Sequence, residues 1–297
     1  MPNSNSLARA LVHIPTGIAN AYMVKTRRGW YLIDTGTAGN AEKIVEIAER
    51  HFGERPPEAI LLTHGHFDHA GNAAELSDHW DAQVFAHKLE LPFLTGKDKY
   101  PPPDPTVGGF MGFMIRFFPN KAYDLGDRVA EFPRNPLPGW ELIETPGHSP
   151  GHCSFFRSDD HALIAGDAIT TVKQCNMVTM LSQAQQVWLP PEYYTCDWQS
   201  AHESVKELAQ LEPSLIAAGH GKPMRGAEAR TQLQDLATEW PAPQDGRYTE
   251  APAETNEDGI VALPPKPFDP VATGFIGTAA VLGAAGVLAV VRKRRAA

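Results

Sequence analysis

The segment from residue 63 to residue 69 reads Thr63-His64-Gly65-His66-Phe67-Asp68-His69 and places three imidazoles and one carboxylate within six residues. An apolar run, Glu58-Ala59-Ile60-Leu61-Leu62, precedes it and is typical of a short buried strand. Residues 70–76 then have the composition of a helix start. We therefore predict that the cluster lies on a loop between a strand and a helix, where open α/β layers place their ligand sites.

The composition of this loop indicates a metal site. Imidazoles this close together repel one another when they are protonated, and a packed core gains little from them. A bound transition-metal ion is the usual reason for collecting them. A lone His-x-His pair is weak evidence, but His-x-His-x-Asp-His directly after a strand is much stronger. We therefore predict that this loop binds metal through His64, His66, Asp68 and His69.

The loop resembles the signature of the metallo-β-lactamase-fold hydrolases, and four further motifs of that family stand around it in family order. These motifs are Leu32-Ile33-Asp34-Thr35-Gly36, Thr145-Pro146-Gly147-His148-Ser149-Pro150-Gly151-His152, Leu163-Ile164-Ala165-Gly166-Asp167 and Leu215-Ile216-Ala217-Ala218-Gly219-His220-Gly221. The resemblance covers about residues 7 to 240. It implies a four-layer αββα sandwich of two sheets between helix layers, whereas periodicity alone indicates only an α/β or α+β chain.

The resemblance also implies two metal ions with assigned ligands. One ion is held by His64, His66 and His148, the second by Asp68, His69 and His220, and Asp167 bridges them. Imidazole and carboxylate ligands suit two zinc ions per chain, with iron or manganese as alternatives. Asp34 matches no ligand position and is expected to orient the metal loop from outside. His152 is expected either to do the same or to play a plain structural role.

By the same resemblance, the expected activity is hydrolysis of an ester, thioester, lactone or lactam carbonyl by a metal-bound hydroxide. Asp68 is expected to be the catalytic residue that accepts a hydrogen bond from this nucleophile. A mononuclear iron oxidoreductase such as a persulfide dioxygenase is one alternative, because it carries the same histidine pattern. A non-catalytic, membrane-tethered module is the other, and the complete ligand set disfavours it.

Composition and charge limit the partners. The 297 residues carry a formal net charge of −9, and because residues 292–295 contribute four positive charges, the remainder carries −13. An acidic body disfavours a nucleic-acid groove, so we expect a small-molecule substrate. The three cysteines, Cys153, Cys175 and Cys196, match no ligand position and form no disulfide framework. The oligomeric state is not indicated by the sequence.

Residues 95–120 interrupt the alternation of strands and helices. They begin with a proline-rich run, Tyr100-Pro101-Pro102-Pro103-Asp104-Pro105, which is incompatible with a helix or an inner strand. An aromatic and glycine-containing half follows. Two interpretations stay open for this half, a wall of the substrate pocket and a core helix.

Three segments follow the expected catalytic domain of residues 1–240. Residues 241–270 contain seven prolines and six acidic residues and are predicted to form a disordered linker. Residues 271–291 are uncharged and apolar, and as a helix they would span about 31 Å, the thickness of a bilayer core. Residues 292–297 form a basic tail. We expect a single transmembrane helix with the catalytic domain in the cytoplasm, because no N-terminal export signal is visible.

Overall fold

The structure is a computed structural model that describes residues 11–117, 123–174 and 177–269. The described residues up to Pro264 form one compact unit, distinct from the segment that follows. This unit contains two large β-sheets, and the predicted site motifs lie at the ends of their strands.

The first half of the unit forms a six-stranded sheet. Its strands in chain order are β1 (Leu11–Thr16), β2 (Ala19–Lys25), β3 (Trp30–Ile33), β4 (Ile60–Leu61), β5 (Val84–Ala86) and β6 (Val129–Glu131). They are also neighbours in this order. β1 to β3 are antiparallel, whereas β3 to β6 are parallel. The parallel connections contain the helices α1 (Ala41–Phe52) after β3, α2 (Ala73–Trp80) after β4 and the short α3 (Leu91–Leu94) after β5.

The second half forms a five-stranded sheet. Its strands are β7 (Glu141–Glu144), β8 (Cys153–Arg157), β9 (Ala162–Gly166), β12 (Leu215–Ala218) and β13 (Met224–Arg225), in the spatial order β13-β12-β9-β8-β7. Between β9 and β12 lie a two-stranded ribbon, β10 (Thr170–Val172) and β11 (Gln185–Trp188), and the helix α5 (Met177–Ser182). The remaining long helices are α6 (Trp198–Gln210) and α7 (Gly226–Glu239).

Alternation of apolar side chains along the strands builds the layers. In β3, Leu32 packs with Ile44 of α1, whereas its neighbour Ile33 packs in the cluster that contains Phe155 of β8. Successive strand residues point to opposite faces, so each sheet buries one face on helices and the other on its partner sheet. The second sheet repeats the pattern, because Leu163 of β9 packs with the cluster of α6 and α7. The expected four-layer αββα sandwich is thus confirmed.

Residues 241–270 were predicted to form a disordered linker, and the structure differs from this prediction over residues 241–264, which belong to the compact unit. β14 (Glu254–Asn256) and β15 (Gly259–Ala262) form an antiparallel hairpin there. The segment is tied to the domain by backbone hydrogen bonds, since Ala253 N–H donates to Cys196 C=O at 2.9 Å and Ile260 N–H donates to the Asp98 carboxylate at 2.8 Å. Tyr248 is buried. Amino-acid composition does not show which contacts a segment makes with the rest of the folded domain, and for this reason it predicted disorder here.

Two other predictions concern the aromatic half of residues 95–120 and the segments after residue 270. The aromatic half of residues 95–120 contains the short helix α4 (Gly109–Met114), followed by a 3₁₀ turn, Ile115–Phe117. Phe113 and Phe117 are 40% and 64% exposed, so this half is not a core helix. The predicted transmembrane segment 271–291 and the basic tail 292–297 lie outside the described residues. Within the described ranges, none of the helices is both long and apolar enough to cross a bilayer.

Candidate metal centre

Four strand ends position the predicted site residues. The loop with His64 to His69 follows β4 of the first sheet, and His148 lies in the turn between β7 and β8 of the second. Asp167 directly follows β9, and His220 stands two residues after β12. β4, β9 and β12 are short and fully buried. The ends of these strands, together with the β7–β8 turn, present the polar side chains along one edge of the sandwich.

The structure brings all seven predicted ligands together, and all seven are buried. They form three overlapping groups, namely His64 with His66 and His148, His64 with His69 and Asp167, and Asp68 with His69 and His220. Within each group the possible ligand atoms lie within 4.8 Å of one another. The first and third groups contain the residues expected for the two ions, and Asp167 joins the second.

Asp167 lies between these two expected ligand sets. Its Oδ2 is 3.5 Å from His148 Nε2, which belongs to the first set. The same oxygen is 3.4 Å from His69 Nε2 and 3.0 Å from His220 Nε2, which belong to the other. One carboxylate oxygen therefore faces imidazole nitrogens of both sets. This is the placement that a bridging carboxylate requires.

Asp34 contacts both ends of the loop that runs from Thr63 to His69. His69 Nδ1 lies 2.8 Å from Asp34 Oδ2, which leaves Nε2 of the same ring directed at Asp167. Asp34 also accepts hydrogen bonds from the backbone N–H and the hydroxyl of Thr63, at 2.7 Å and 2.8 Å. These contacts are of the kind that fix the tautomer and orientation of a metal-ligating histidine.

His152 contacts the backbone of Asp167. The Asp167 N–H donates to His152 Nε2 at 2.8 Å, and because an amide can only donate, this nitrogen carries the lone pair. Nδ1 then carries the proton and donates to the Thr145 hydroxyl at 2.8 Å. Both ring nitrogens are engaged, so His152 contacts Asp167 and has no nitrogen left for a metal.

The electrostatics divide the histidines into two classes. Burial, reinforced by neighbouring imidazoles, lowers the pKa of His64 and His148 well below the usual value and lowers that of His66 to about 3. Burial is the largest single effect on His69 and His220 and opposes their protonation, but two carboxylates together outweigh it and raise the pKa of both. Asp167 acts with Asp34 on His69 and with Asp68 on His220. Without metal, the lowered pKa favours the neutral, electron-donating form of the first three rings, whereas the raised pKa of His69 favours its protonated form.

Buried polar atoms without a hydrogen-bond partner indicate that the His/Asp cluster fits a bound metal. Among the described residues, five buried side-chain atoms have no hydrogen-bond partner, and four belong to this cluster. They are His64 Nε2, His69 Nε2, His148 Nδ1 and Asp167 Oδ1. Each such atom costs about 1–3 kcal/mol when it is left unsatisfied. A cation inside the cluster would satisfy the lone pair of His64 Nε2, and His148 would contribute Nε2, the ring nitrogen that faces Asp167.

Three residues at the centre were not predicted from the sequence as part of it. The Tyr100 and Tyr194 rings lie 4.6 Å and 4.7 Å from the His66 ring, centroid to centroid. Glu90 is completely buried beside the metal loops. A carboxylate inside the apolar run Leu89-Glu90-Leu91-Pro92-Phe93-Leu94 is the one sequence signal that would have pointed to it.

The sequence is similar to known metallo-hydrolases. A family model of the metallo-beta-lactamase superfamily matches residues 14–220. The probable metallo-hydrolase YflN of Bacillus subtilis (strain 168) is 41% identical over 239 residues, which cover 77% of this chain and 90% of YflN.

Solved structures share the fold. TTHA1623 in a di-iron-bound form is 26% identical with a TM-score of 0.50, over 76% of this chain and 96% of that one. The BLEG-1 B3 metallo-beta-lactamase is 25% identical with a TM-score of 0.54, at the same coverage of both chains. On the family match, the identity to YflN and the His/Asp cluster, the chain belongs to the metallo-β-lactamase superfamily and is a metal-dependent hydrolase.

Proposed function

We propose that the chain is a dinuclear zinc hydrolase that cleaves an ester, thioester, lactone or lactam carbonyl. The position of Asp167 Oδ2, within 3.5 Å of His148 Nε2 and 3.0 Å of His220 Nε2, is the observation that carries this proposal. A mononuclear site would need only one of the two ligand sets. The di-iron form of TTHA1623 supports two ions on this fold. Zinc is proposed from the ligand chemistry, in which imidazoles predominate.

In this proposal, His64, His66 and His148 hold one ion, Asp68, His69 and His220 hold the other, and Asp167 lies between them. Two ions bound in this way supply a water of lowered pKa and polarise a carbonyl oxygen. Four carboxylates are buried at the centre, namely the proposed ligands Asp68 and Asp167 and their neighbours Asp34 and Glu90. Their combined charge of −4 matches two divalent cations, and a buried charge without such compensation would be strongly destabilising.

Asp68 is the proposed catalytic residue of the chain. Its Oδ2 lies 3.5 Å from His220 Nε2, and burial raises the pKa of its carboxyl group. In the loaded site, the carboxylate would accept a hydrogen bond from the attacking water and direct it towards the carbonyl carbon. Asp68 lies on the same loop as His64, His66 and His69, so this loop would supply both the base and three of the histidine ligands.

Two half-buried tyrosines are candidates for contacting the substrate. Burial, followed by the nearby Asp68 charge, raises the pKa of Tyr194 and of Tyr123. Both phenols therefore stay protonated at neutral pH and can donate hydrogen bonds to a substrate oxygen. The Tyr194 ring also lies against His66. A carbonyl substrate with an apolar part would suit this aromatic surface.

Metal analysis combined with a substrate panel tests the proposal. Protein purified without added metal should contain two ions per chain, mostly zinc. The zinc-loaded protein should hydrolyse at least one thioester, ester, lactone or lactam, and His66→Ala should lose several orders of magnitude in rate while remaining folded. One iron per chain with oxidation of a persulfide would refute the proposal in favour of an iron oxidoreductase. Normal metal content in His66→Ala would refute the ligand assignment.

We also propose, from the sequence alone, that residues 271–291 anchor the chain in a lipid bilayer with the catalytic unit in the cytoplasm. The run is uncharged and is followed by the basic residues 292–295. Full-length protein should sediment with membranes and resist alkaline carbonate, and protease added to intact cells should spare the catalytic unit. Release by carbonate would refute the anchor, and digestion from outside would reverse the orientation.

A further inference from the structure

We propose that Glu90 is a positioning residue that holds together the two loops carrying His64, His66 and His148, and thereby sets the affinity of one half of the metal centre. The inference rests on the proposed dinuclear function. Glu90 ends a 3₁₀ turn, Lys88–Glu90, that follows β5, and its side chain is completely buried. It belongs to neither ligand set.

One carboxylate oxygen of Glu90 binds the loop that carries His64 and His66. Oε2 accepts a hydrogen bond from the backbone N–H of Gly65 at 3.0 Å, and Gly65 stands between His64 and His66. The same oxygen accepts the hydroxyl proton of Tyr100. The Tyr100 ring in turn lies 4.6 Å from the His66 ring, so Glu90 contacts this loop both directly and through the phenol.

The other carboxylate oxygen binds the loop that carries His148. Oε1 accepts hydrogen bonds from the Ser149 hydroxyl at 2.8 Å and from the Gly151 N–H at 2.7 Å. Ser149 is adjacent to His148 in sequence. A single buried side chain therefore connects loops that come from different sheets and that are more than eighty residues apart. His66 Nδ1 and His148 Nε2 meet 3.0 Å apart across this connection.

At Gly65 and Gly151, the two loops pack closely against the segment from His87 to Tyr100. A Cβ on Gly65 would lie 2.3 Å from the Tyr100 hydroxyl and 2.5 Å from Leu94 Cδ2. A Cβ on Gly151 would lie 3.0 Å from Glu90 Cγ and 2.6 Å from His87 Nδ1. The contacts of 2.3, 2.5 and 2.6 Å are shorter than real Cβ atoms tolerate, so the bare backbones allow both amides to reach the carboxylate.

The other half of the centre is held by different groups. His69 Nδ1 contacts Asp34 at 2.8 Å, and His220 Nδ1 donates to the Ile18 carbonyl at 2.7 Å. None of the hydrogen bonds found for Glu90 in the described part of the chain reaches Asp68, His69 or His220. Glu90 and Asp34 are thus assigned to opposite halves of the centre.

The variant Glu90→Gln tests the assignment because it keeps the volume but replaces one acceptor oxygen by an NH₂ group. That group would face an N–H donor of one of the two loops, so the connection between them is lost. Positioning groups of this kind change metal affinity about 10- to 100-fold. We expect a loss of this size for one ion only, measured by zinc titration against a competing chelator, with no substrate present.

Single-ligand backgrounds identify the affected ion. In His220→Ala the ion held by His64, His66 and His148 remains, and Glu90→Gln should weaken it about 10- to 100-fold. In His66→Ala the other ion remains, and Glu90→Gln should leave its affinity unchanged. The matched control Asp34→Asn should give the opposite pattern. An equal loss in both backgrounds, or no loss in His220→Ala, overturns the proposal.

Folding and function are separated by two further measurements. If Glu90→Gln does not fold, Ser149→Ala removes one donor from Oε1 and should weaken the same ion to a smaller degree, whereas no change with that variant would overturn the proposal. Failure of every carbonyl substrate with two ions bound would refute the proposed hydrolysis. That result would leave the assignment of Glu90 intact, because it is measured by metal affinity.

Discussion

Asp34 contacts Nδ1 of His69 at 2.8 Å, while Nε2 of the same ring lies 3.4 Å from Asp167. His69 is thus held between two carboxylates, and they raise its pKa against the effect of burial. For His64, His66 and His148, burial outweighs the attraction of Asp167, and the pKa of each is lowered. The two halves of the centre therefore enter metal binding in different protonation states.

Metal binding should release a proton at neutral pH. His69 has a pKa above its usual value in the metal-free protein, so at pH 7 it carries a proton that the metal must displace. His64, His66 and His148 have lowered pKa values and release none. Apparent affinity for the second ion should therefore rise with pH up to the pKa of His69. Calorimetric titration in two buffers of different ionisation heat measures the proton count.

Asp34→Asn is the control for proton release. It removes one of the two charges that raise the pKa of His69, so fewer protons should be released at the same pH. Metal binding without any proton release in the unaltered protein would show that His69 is already neutral. The assignment of the two histidine classes would then be wrong.

Asp167→Asn should weaken both ions, and the ion held by His69 and His220 more strongly. Asp167 Oδ2 faces one nitrogen of the first ligand set but two of the second, so the second set loses more. The neutral amide also removes a negative charge from a buried dication site. Metal content after dialysis measures the effect. Full activity with two ions bound would show that Asp167 does not bridge.

His152→Ala should weaken metal binding although His152 is not a ligand. The change leaves the Asp167 N–H without its acceptor at 2.8 Å and frees the carboxylate to rotate. An expected loss of about 10- to 100-fold in metal affinity follows from the usual effect of such outer contacts. The exposed His79 supplies the matched control, since His79→Ala should change nothing. Equal metal affinity of the two variants would show that His152 does not position Asp167 and would leave it a purely structural role.

Removal of the C-terminal hairpin should destabilise the catalytic unit. A chain ending at Pro264 keeps β14, β15 and the buried Tyr248, whereas a chain ending at Trp240 loses them. Burial of one large aromatic side chain alone contributes about 1.5–3 kcal/mol. At about 2–4 °C per kcal/mol, the shorter chain should melt at least about 3 °C lower. Identical melting temperatures would show that the hairpin contributes no stability.

The loop from His64 to His69 was predicted to bind metal from its own composition, and His148, Asp167 and His220 were predicted because their motifs resemble those of the family. Each motif is an apolar strand followed directly by its polar residues, as in Leu163-Ile164-Ala165-Gly166-Asp167. Strand period and ligand chemistry are both properties of neighbouring residues. The four-layer order followed from the family resemblance, since periodicity alone gives no order of layers.

The sequence by itself determined which side chains form the metal centre and that the fold combines helices with sheets. Only the tertiary structure decided how the centre is held. Glu90 and Gly151 are 61 residues apart, and Ile260 binds Asp98 from 162 residues away, so no local pattern records either contact. Such pairs form because folding brings distant backbone donors to one buried or preformed acceptor. Hydrogen-bond satisfaction in the folded chain, rather than composition, therefore assigned Glu90 its position and ordered the hairpin.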